Sequence, residues 1–376
     1  MAAVPPRPRR RRARHGSLER PVSGRTYRGT WLLVALPLLV AAFSVTRPQP
    51  LQKPVLAPDF DAGAAKALGL DLSQKYPDRR PGSAGALGAA QWFRDQITQY
   101  GLVTATQPFT ADVPGEGRLA FQNLVVVVGG RSPQRIVIMA HRDDLGIGPG
   151  ANDNASGTAA LIELARPYTT VASPGTKPVE PAHTLVFLST DGGAFGAQGA
   201  RAFLRSSVYA EDVVAVINLD SIAGRDRARL VIAGDEPRSP APALVVTAAA
   251  RIVDQSGVQA RRPSALRQLV DLGFPFSLYE QAPFVARGIP AVTLTTAGDR
   301  PPASFSDRVG QLRAGSIGIL GGSAQDLLGS LDQGLELAHG TTSYVFLGSR
   351  IIRGWALELV LVSMLLPFLA GAVDLF

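Results

Sequence analysis

The chain has 376 residues, 46% hydrophobic and only 18% charged, enough for one large core or two modest ones and incompatible with disorder over most of its length. It contains no cysteine, which excludes disulfides, thiolate metal sites, iron–sulfur clusters and cysteine nucleophiles together. The net charge of +8 and pI near 10.2 suggest a nucleic-acid partner, but residues 1–28 hold nine arginines against the single acid Glu19, so the rest is formally neutral and no basic stripe for nucleic acid is expected.

A basic block directly before an apolar run is the cytoplasmic flank of a membrane segment. The run follows at once: eighteen uncharged residues, 29–46, centred on WLLVALPLLVAAFSV. A cleaved signal peptide is the competing reading. The run nearly reaches the roughly 20 residues of a spanning helix rather than the 7–15 of a signal core, which favours an uncleaved anchor. Residues 47–59 are proline-rich and read as an extended linker.

From 60 to 338 apolar strands alternate with amphipathic helical stretches. In chain order they are LGAAQWFRDQITQYG (helix), FQNLVVVV and RIVIMAH (strands), SGTAALIELAR (helix), HTLVFLST (strand) and AQGARAFLR (helix). VVAVINLD (strand), ALVVTAAARIV (helix) and GIPAVTLTT (strand) complete the series. The alternation predicts an α/β fold, a central sheet with helices on both faces. A second apolar run, 354–376, contains fifteen uncharged residues from Leu359 to Val373 and reads as a second transmembrane helix. With the N-terminal tail inside, that helix returns inward and should meet basic residues. None follows, so the chain is expected to continue beyond Phe376 with further helices.

In open α/β sheets ligands bind beyond the carboxyl ends of the strands. There RIVIMAH ends in His141, VVAVINLD ends in Asp220, and GANDNASG places Asp153 just before a helix. Taken singly, a strand-end histidine is usually structural and Asp153 and Asn154 are ordinary helix caps. Together they are one imidazole and two carboxylates, the donors a divalent ion such as zinc takes.

The order PGSAGALGAAQWFRDQITQYG, IVIMAHRDD, GPGANDNASGTAALIELAR, LVFLSTDGGAFGAQGARAFL, VINLDSIAG and APFVARGIPAVTLT resembles peptidase family M28, the di-zinc aminopeptidases, over roughly residues 60–335. The resemblance implies a mixed central sheet flanked by helices on both faces. It also implies two zinc ions about 3–4 Å apart clamping the attacking water. Carried across residue by residue, it gives His141 as a ligand, Asp143 as the carboxylate orienting it, Asp153 as the bridging ligand and Asp220 as the last ligand of one site.

The departures concern the other site. Counting from Gly196 and Gly199, the family's catalytic base falls on Gly193 and its second-site glutamate on Ala194, while the last histidine falls on Ala303 by its spacing to Asp307. Of the four histidines, His15, His141, His183 and His339, none lies between 183 and 339. Asp191 and Asp299 are the carboxylates that could substitute for the base, although a turn beginning Asp-Gly-Gly explains Asp191 without function. His183 opens a strand at the end away from the site, and His339 precedes the second membrane run.

These features imply a domain outside the cytoplasm, anchored in the cell membrane, with an incomplete di-zinc centre that holds at most one zinc or other divalent ion. The expected function is a non-catalytic pseudopeptidase that binds a peptide or protein, similar in kind to nicastrin and nicalin. The alternative is an active metal-dependent exopeptidase with a single-metal or rearranged site, glutaminyl cyclases showing that the fold can work with one zinc. A transporter subunit with an exported lid would be favoured by more membrane helices.

Overall fold

Ser23 and Asp61 accept hydrogen bonds from first-turn amides and start the first two helices, as polar N-caps do. These are α1 (Gly24–Phe43) and α2 (Ala62–Lys75) of a computed structural model that describes residues 23–171, 179–298, 303–334 and 340–375. The chain continues through α3 (Ala84–Thr98), β1 (Thr104–Val113), β2 (Gly117–Val128) and β3 (Ser132–His141). An irregular turn, Ala151–Ser156, then leads into α4 (Gly157–Ala165), β4 (His183–Thr190), α5 (Gln198–Ser206) and β5 (Val213–Asp220). β6 (Arg229–Val231), β7 (Ser239–Pro240), α6 (Pro242–Ser256), α7 (Ala265–Gly273), α8 (Gln281–Ala286), β8 (Ala291–Thr295) and α9 (Ala314–Gln333) follow. The last elements are β9 (Thr341–Thr342), β10 (Tyr344–Leu347), β11 (Arg350–Arg353) and α10 (Gly354–Leu375).

The chain divides into two units, Pro48–Ser343 and the segments on either side of it. The large unit carries a seven-stranded mixed sheet in the order β1-β2-β4-β3-β5-β8-β6, with β4, β3, β5 and β8 parallel. Helices α5 and α8 cover one face, where Phe203 and Phe284 pack on Val137, Met139, Val186, Leu188 and Val216. Helices α2, α4, α6 and α9 form the other layer. The helix after β3 leads to β4 on one side, whereas the chain after β5 leads to β8 on the other. That reversal opens a crevice at the carboxyl ends of β3 and β5.

The 47–59 segment is extended, but it is bound along α6 and α9 rather than free. The Leu51 amide donates to Thr247 Oγ1 at 2.9 Å and Arg251 donates to the Leu51 carbonyl at 2.8 Å. Pro54 and Phe60 fill the space that a Cβ would take at Gly329 and Gly321. Both ends of this unit lie at the amino ends of the strands. Leu51 reaches Gly334 beside Asp332, which binds His183 at the start of β4, and Thr341 donates to the Val285 carbonyl shortly before β8.

The small unit comprises α1, the β10–β11 hairpin and α10. Both helices are long and apolar enough to cross a membrane. Helix α1 begins at Gly24 and so includes Arg25 and Arg28. It packs on α10 along Ala356, Ser363 and Gly371, which are buried, small residues that let two helices approach closely. Asp374 accepts the Ser23 amide at 2.7 Å.

Candidate metal centre

Successive strand side chains alternate between faces, so His141 continues the face of Val137 and Met139, and Asp220 continues that of Val216. The pairing of Met139 with Asn218 then sets His141 beside Asp220. Asp153 arrives from the turn before α4. Asn154 ties this turn to β5 by accepting from the Gly157 and Ser221 amides, each at 3.0 Å, and by donating to the Leu219 carbonyl at 2.8 Å. Asp307 accepts the amides of Asn152 and Asp153 at 2.9 and 2.8 Å, which fixes the backbone beneath the Asp153 carboxylate.

His141 Nε2 lies 3.1 Å from Asp153 Oδ1 and 3.5 Å from Asp220 Oδ2, and the three donor atoms all fall within 4.8 Å of one another. A tetrahedral zinc with bonds near 2.0 Å holds its ligand atoms roughly 3.3 Å apart, so the set fits one such ion. Nδ1 is 3.1 Å from the Asp143 carbonyl and 3.5 Å from its Oδ1, which orients the ring as an outer carboxylate does. Burial opposes charge on His141, but hydrogen bonds to Asp143, Asp153 and Asp220 outweigh it and hold the imidazole well above its ordinary value. Burial raises Asp220 despite those bonds. Asp143 is also buried, but His141 and the amides of Gly193 and Ala194 keep it below its ordinary value.

Two buried arginines frame this centre. Arg79 donates to the carbonyls of Tyr76, Arg142, Pro149 and Gly150 at 2.8–2.9 Å and lies 3.1 Å from Asp144. It thereby staples the end of α2 to the loop that delivers Asp153. Arg142 binds Ser189 and the Gln122 carbonyl and lies 3.7 Å from Asp191.

The positions that resemblance assigns to base and second metal are closed or bare. A Cβ at Gly193 would lie 2.3 Å from His141 Cβ, and the Gly193 and Ala194 amides bind the two Asp143 oxygens at 2.9 and 3.0 Å. The loop is therefore drawn tight against His141. Ala194 lines the cleft and Ala303 is exposed beside Ser304. Asp191 does not face this cleft: it accepts the Gln122 amide at 2.9 Å, and burial raises it to about 6 against the pull of Arg142. His183 pairs with Asp332 at 3.3 Å. Asp299 and His339 lie outside the described residues.

An open cleft lies beside the centre, bordered by Asp153, Asn152, Ser221, Ala194, Ser304 and Asp307 among others. Beneath His141 sits a carboxyl that sequence reasoning missed. Glu280 is 1% exposed, accepts from Thr190 Oγ1 at 2.7 Å through Oε2, and its Oε1 has no hydrogen-bond partner. Burial raises it to about 7 even though His141 pulls it down. A carboxyl raised on folding binds its proton more tightly in the folded state, so stability is full below its unfolded value near 4.5 and falls as pH climbs through about 7. Glu280→Gln keeps an acceptor for Thr190 and removes this loss. Denaturant titrations across pH are expected to show it more stable than the wild type above pH 7, by on the order of 3 kcal/mol, with the gap closing under acid conditions. An equal gap at all pH values would mean that Glu280 does not titrate there.

Comparison with known proteins bears on this arrangement. The model of Peptidase family M28 matches residues 123–309, which hold His141, Asp143, Asp153, Asp220 and the Gly193 loop. Residues 123–309 therefore carry a peptidase family M28 domain. The chain is 26% identical over 271 residues to the BOS complex subunit NCLN of Canis lupus familiaris, covering 68% of the chain and 47% of that protein. It thus spans about half the length of the curated relatives it matches. Among solved structures it is similar to BSAP, a zinc aminopeptidase from Bacillus subtilis, with TM-score 0.59, 12% identity, and 72% and 95% of the two chains covered. A glutaminyl cyclase from Bacteroides thetaiotaomicron gives TM-score 0.55 at 16% identity, covering 73% and 99%. At these identities the likeness to solved structures establishes the fold: the expected mixed sheet with helices on both faces is the zinc aminopeptidase fold.

Proposed function

We propose that this chain is a membrane-anchored pseudopeptidase whose large unit lies outside the cytoplasm, holds at most one divalent ion at His141, Asp153 and Asp220, and binds a peptide or protein. The observation that carries the reading is Gly193: where the family has its general base, the chain has no side chain, and His141 fills the space a Cβ would need. Without an acceptor for the proton of attacking water, hydrolysis loses about 10²–10⁴-fold from that group alone. Ala194 and Ala303 leave a second ion without its own ligands, so the two-metal clamp cannot assemble. The arginine block before α1 supports an inward N-terminus. Relatives named as subunits of a BOS complex support a role in an assembly with protein partners.

Metal analysis of the full chain in detergent tests this reading, beside hydrolysis of aminoacyl reporter substrates. The expected result is no more than one zinc per chain, lost in His141→Ala, and turnover no faster than that of Asp153→Ala. Two tightly held ions, or metal-dependent turnover abolished in Asp153→Ala, would replace it with an active exopeptidase.

A further inference from the structure

Residues 48–343 hold 26 lysines and arginines against 27 acids, but this near-neutrality hides an uneven distribution. Over much of the unit, cations at the surface pair with carboxylates: Arg166 with Asp59, Arg201 with Asp235, Arg267 with Asp271 and Lys75 with Asp71. Interspersed signs of this kind are ordinary for a soluble surface. Arg225, Arg227, Arg261, Arg308 and Arg313 depart from it. All five are exposed, and among the described residues none of their guanidiniums has a carboxylate or hydrogen-bond partner, Asp226 between the first two included.

Backbone hydrogen bonds gather these arginines onto one rim of the cleft. The loop after β5 begins at Ser221, which borders the cleft, and the Ala223 amide donates to Asn152 Oδ1 at 2.7 Å. The Ala223 carbonyl accepts the Arg313 amide at 3.1 Å and the Gly224 carbonyl accepts from Ser316 Oγ at 2.7 Å, so Arg225 leaves this loop beside the start of α9. Farther along, the Ala228 carbonyl accepts the Arg261 amide at 2.8 Å, which brings Arg261 to the segment that carries Arg227. Arg308 follows Asp307, whose carboxylate binds the Asn152 and Asp153 amides.

Like charges held together by the backbone repel one another, and no described carboxylate offsets the repulsion here. An anionic ligand does, and the guanidinium fork matches carboxylate and phosphate alike. The cleft decides between them. A phosphate polymer carries charge at every step and would press its anions against Asp153 and Asp307 on the cleft border, whereas a peptide can confine its acids to the stretch over the rim. At about 3.3 Å per extended residue, a peptide seated at Ser221 passes Arg225 and Arg227 within a few residues.

We infer that this arginine rim is a subsite for acidic side chains, and that the ligand of the cleft is a peptide segment with a run of aspartate or glutamate beside the part seated there. The inference rests on the reading of the cleft as a peptide site and is independent of whether a metal is bound.

Two fluorescent peptides test it, one with consecutive glutamates after Ala-Ala and one with glutamines in their place, each titrated with the full chain in detergent and read by anisotropy. At low salt the glutamate peptide is expected to bind about 10-fold more tightly or better, since several exposed ion pairs each add a small increment. At about 1 M salt, where charges are screened beyond about 3 Å, the preference should largely vanish. Arg225→Gln with Arg227→Gln should remove most of the low-salt preference while leaving the glutamine peptide's affinity and the melting temperature unchanged, because both side chains are exposed and unpaired. Ala194→Trp, which places a large ring in the cleft, should weaken both peptides. Equal affinity for the two peptides at low salt overturns the inference and leaves the cleft reading standing. A glutamate preference that survives the double glutamine variant overturns it too. A preference that needs the arginines but ignores Ala194→Trp overturns the link to the cleft, and the failure then belongs to the cleft reading rather than to the rim. No binding of either peptide overturns both. An oligothymidylate of equal charge, bound as tightly through the same arginines, overturns the inference in favour of a general polyanion site.

Discussion

Arg79→Ala is expected to cost the large unit about 3–5 kcal/mol, the penalty for removing one partner of a buried ion pair. Arg79 is wholly buried, and its guanidinium is the hydrogen-bond donor for four carbonyls drawn from the end of α2, the exit of β3 and the turn at Pro149 and Gly150. Burial lowers its affinity for the proton, yet Asp144, Asp143, Asp307 and Asp153 all favour the charged form, so it remains the local counterion. Alanine would leave the Asp144 carboxylate, already raised by burial, without its cation, and four carbonyls without a donor. Arg79→Lys keeps the charge but cannot reach all four acceptors from one ammonium, and should recover only part of the loss. Urea denaturation of the full chain in detergent gives both values. A loss below about 1 kcal/mol for alanine would mean that water replaces the guanidinium, as it does at exposed sites. The loop stapled by Arg79 carries Asp153, so the same variants should also weaken zinc binding.

The elements legible in the sequence were those whose pattern is set by their own burial. The continuous apolar runs ending in His141, Thr190 and Asp220 read as interior strands and are the parallel centre of the sheet. Strand β1, TATQPFTADV, was missed because it is an edge strand with mixed exposure and polar composition. Helix α9 was missed because five of its twenty residues are glycine, which lowers intrinsic helix propensity. Its glycines are explained only by what packs on them, since Gly321 and Gly329 make room for Phe60 and Pro54. Helix α7 escaped for the opposite reason, its apolar stripe having no core beneath it.

At the site, residue types and strand ends sufficed to single out His141, Asp153 and Asp220, which the fold does bring together. Arg79 and Glu280 had no comparable signal. An arginine in DRRPGS and a glutamate in LYEQAPF look solvated until tertiary contacts close over them, and their importance is a matter of burial rather than of motif. The tight approach of Gly193 to His141 belongs to the same class: a glycine in DGG reads as a turn, and only coordinates show that it has become a packing surface.

That contact decides what happens when a glutamate is placed where the resemblance puts the family's base. Gly193→Glu, alone or together with Ala194→Glu and Ala303→His, is expected to damage the centre rather than restore it. A Cβ at 193 would stand 2.3 Å from His141 Cβ and 2.4 Å from Cγ, closer than packed carbon atoms approach, and the neighbours are the rigid base of a ring. The loop cannot withdraw freely, because the amides of 193 and 194 are both bound to Asp143, the carboxylate that orients the ring. Relief therefore comes from turning His141 away from Asp153 and Asp220. Overpacking of this kind costs about 1–3 kcal/mol, and misorienting a ligand through its outer shell costs about 10–100-fold in metal affinity. Gly193→Ala separates crowding from charge, since it adds the clashing methyl and nothing else. Calorimetric zinc titration and thermal melts of the full chain should show Gly193→Ala weakened in both respects and Gly193→Glu weakened further. Zinc affinity and melting temperature equal to wild type in Gly193→Ala would show that the 191–197 loop yields easily, and the route back to a catalytic centre would then be open.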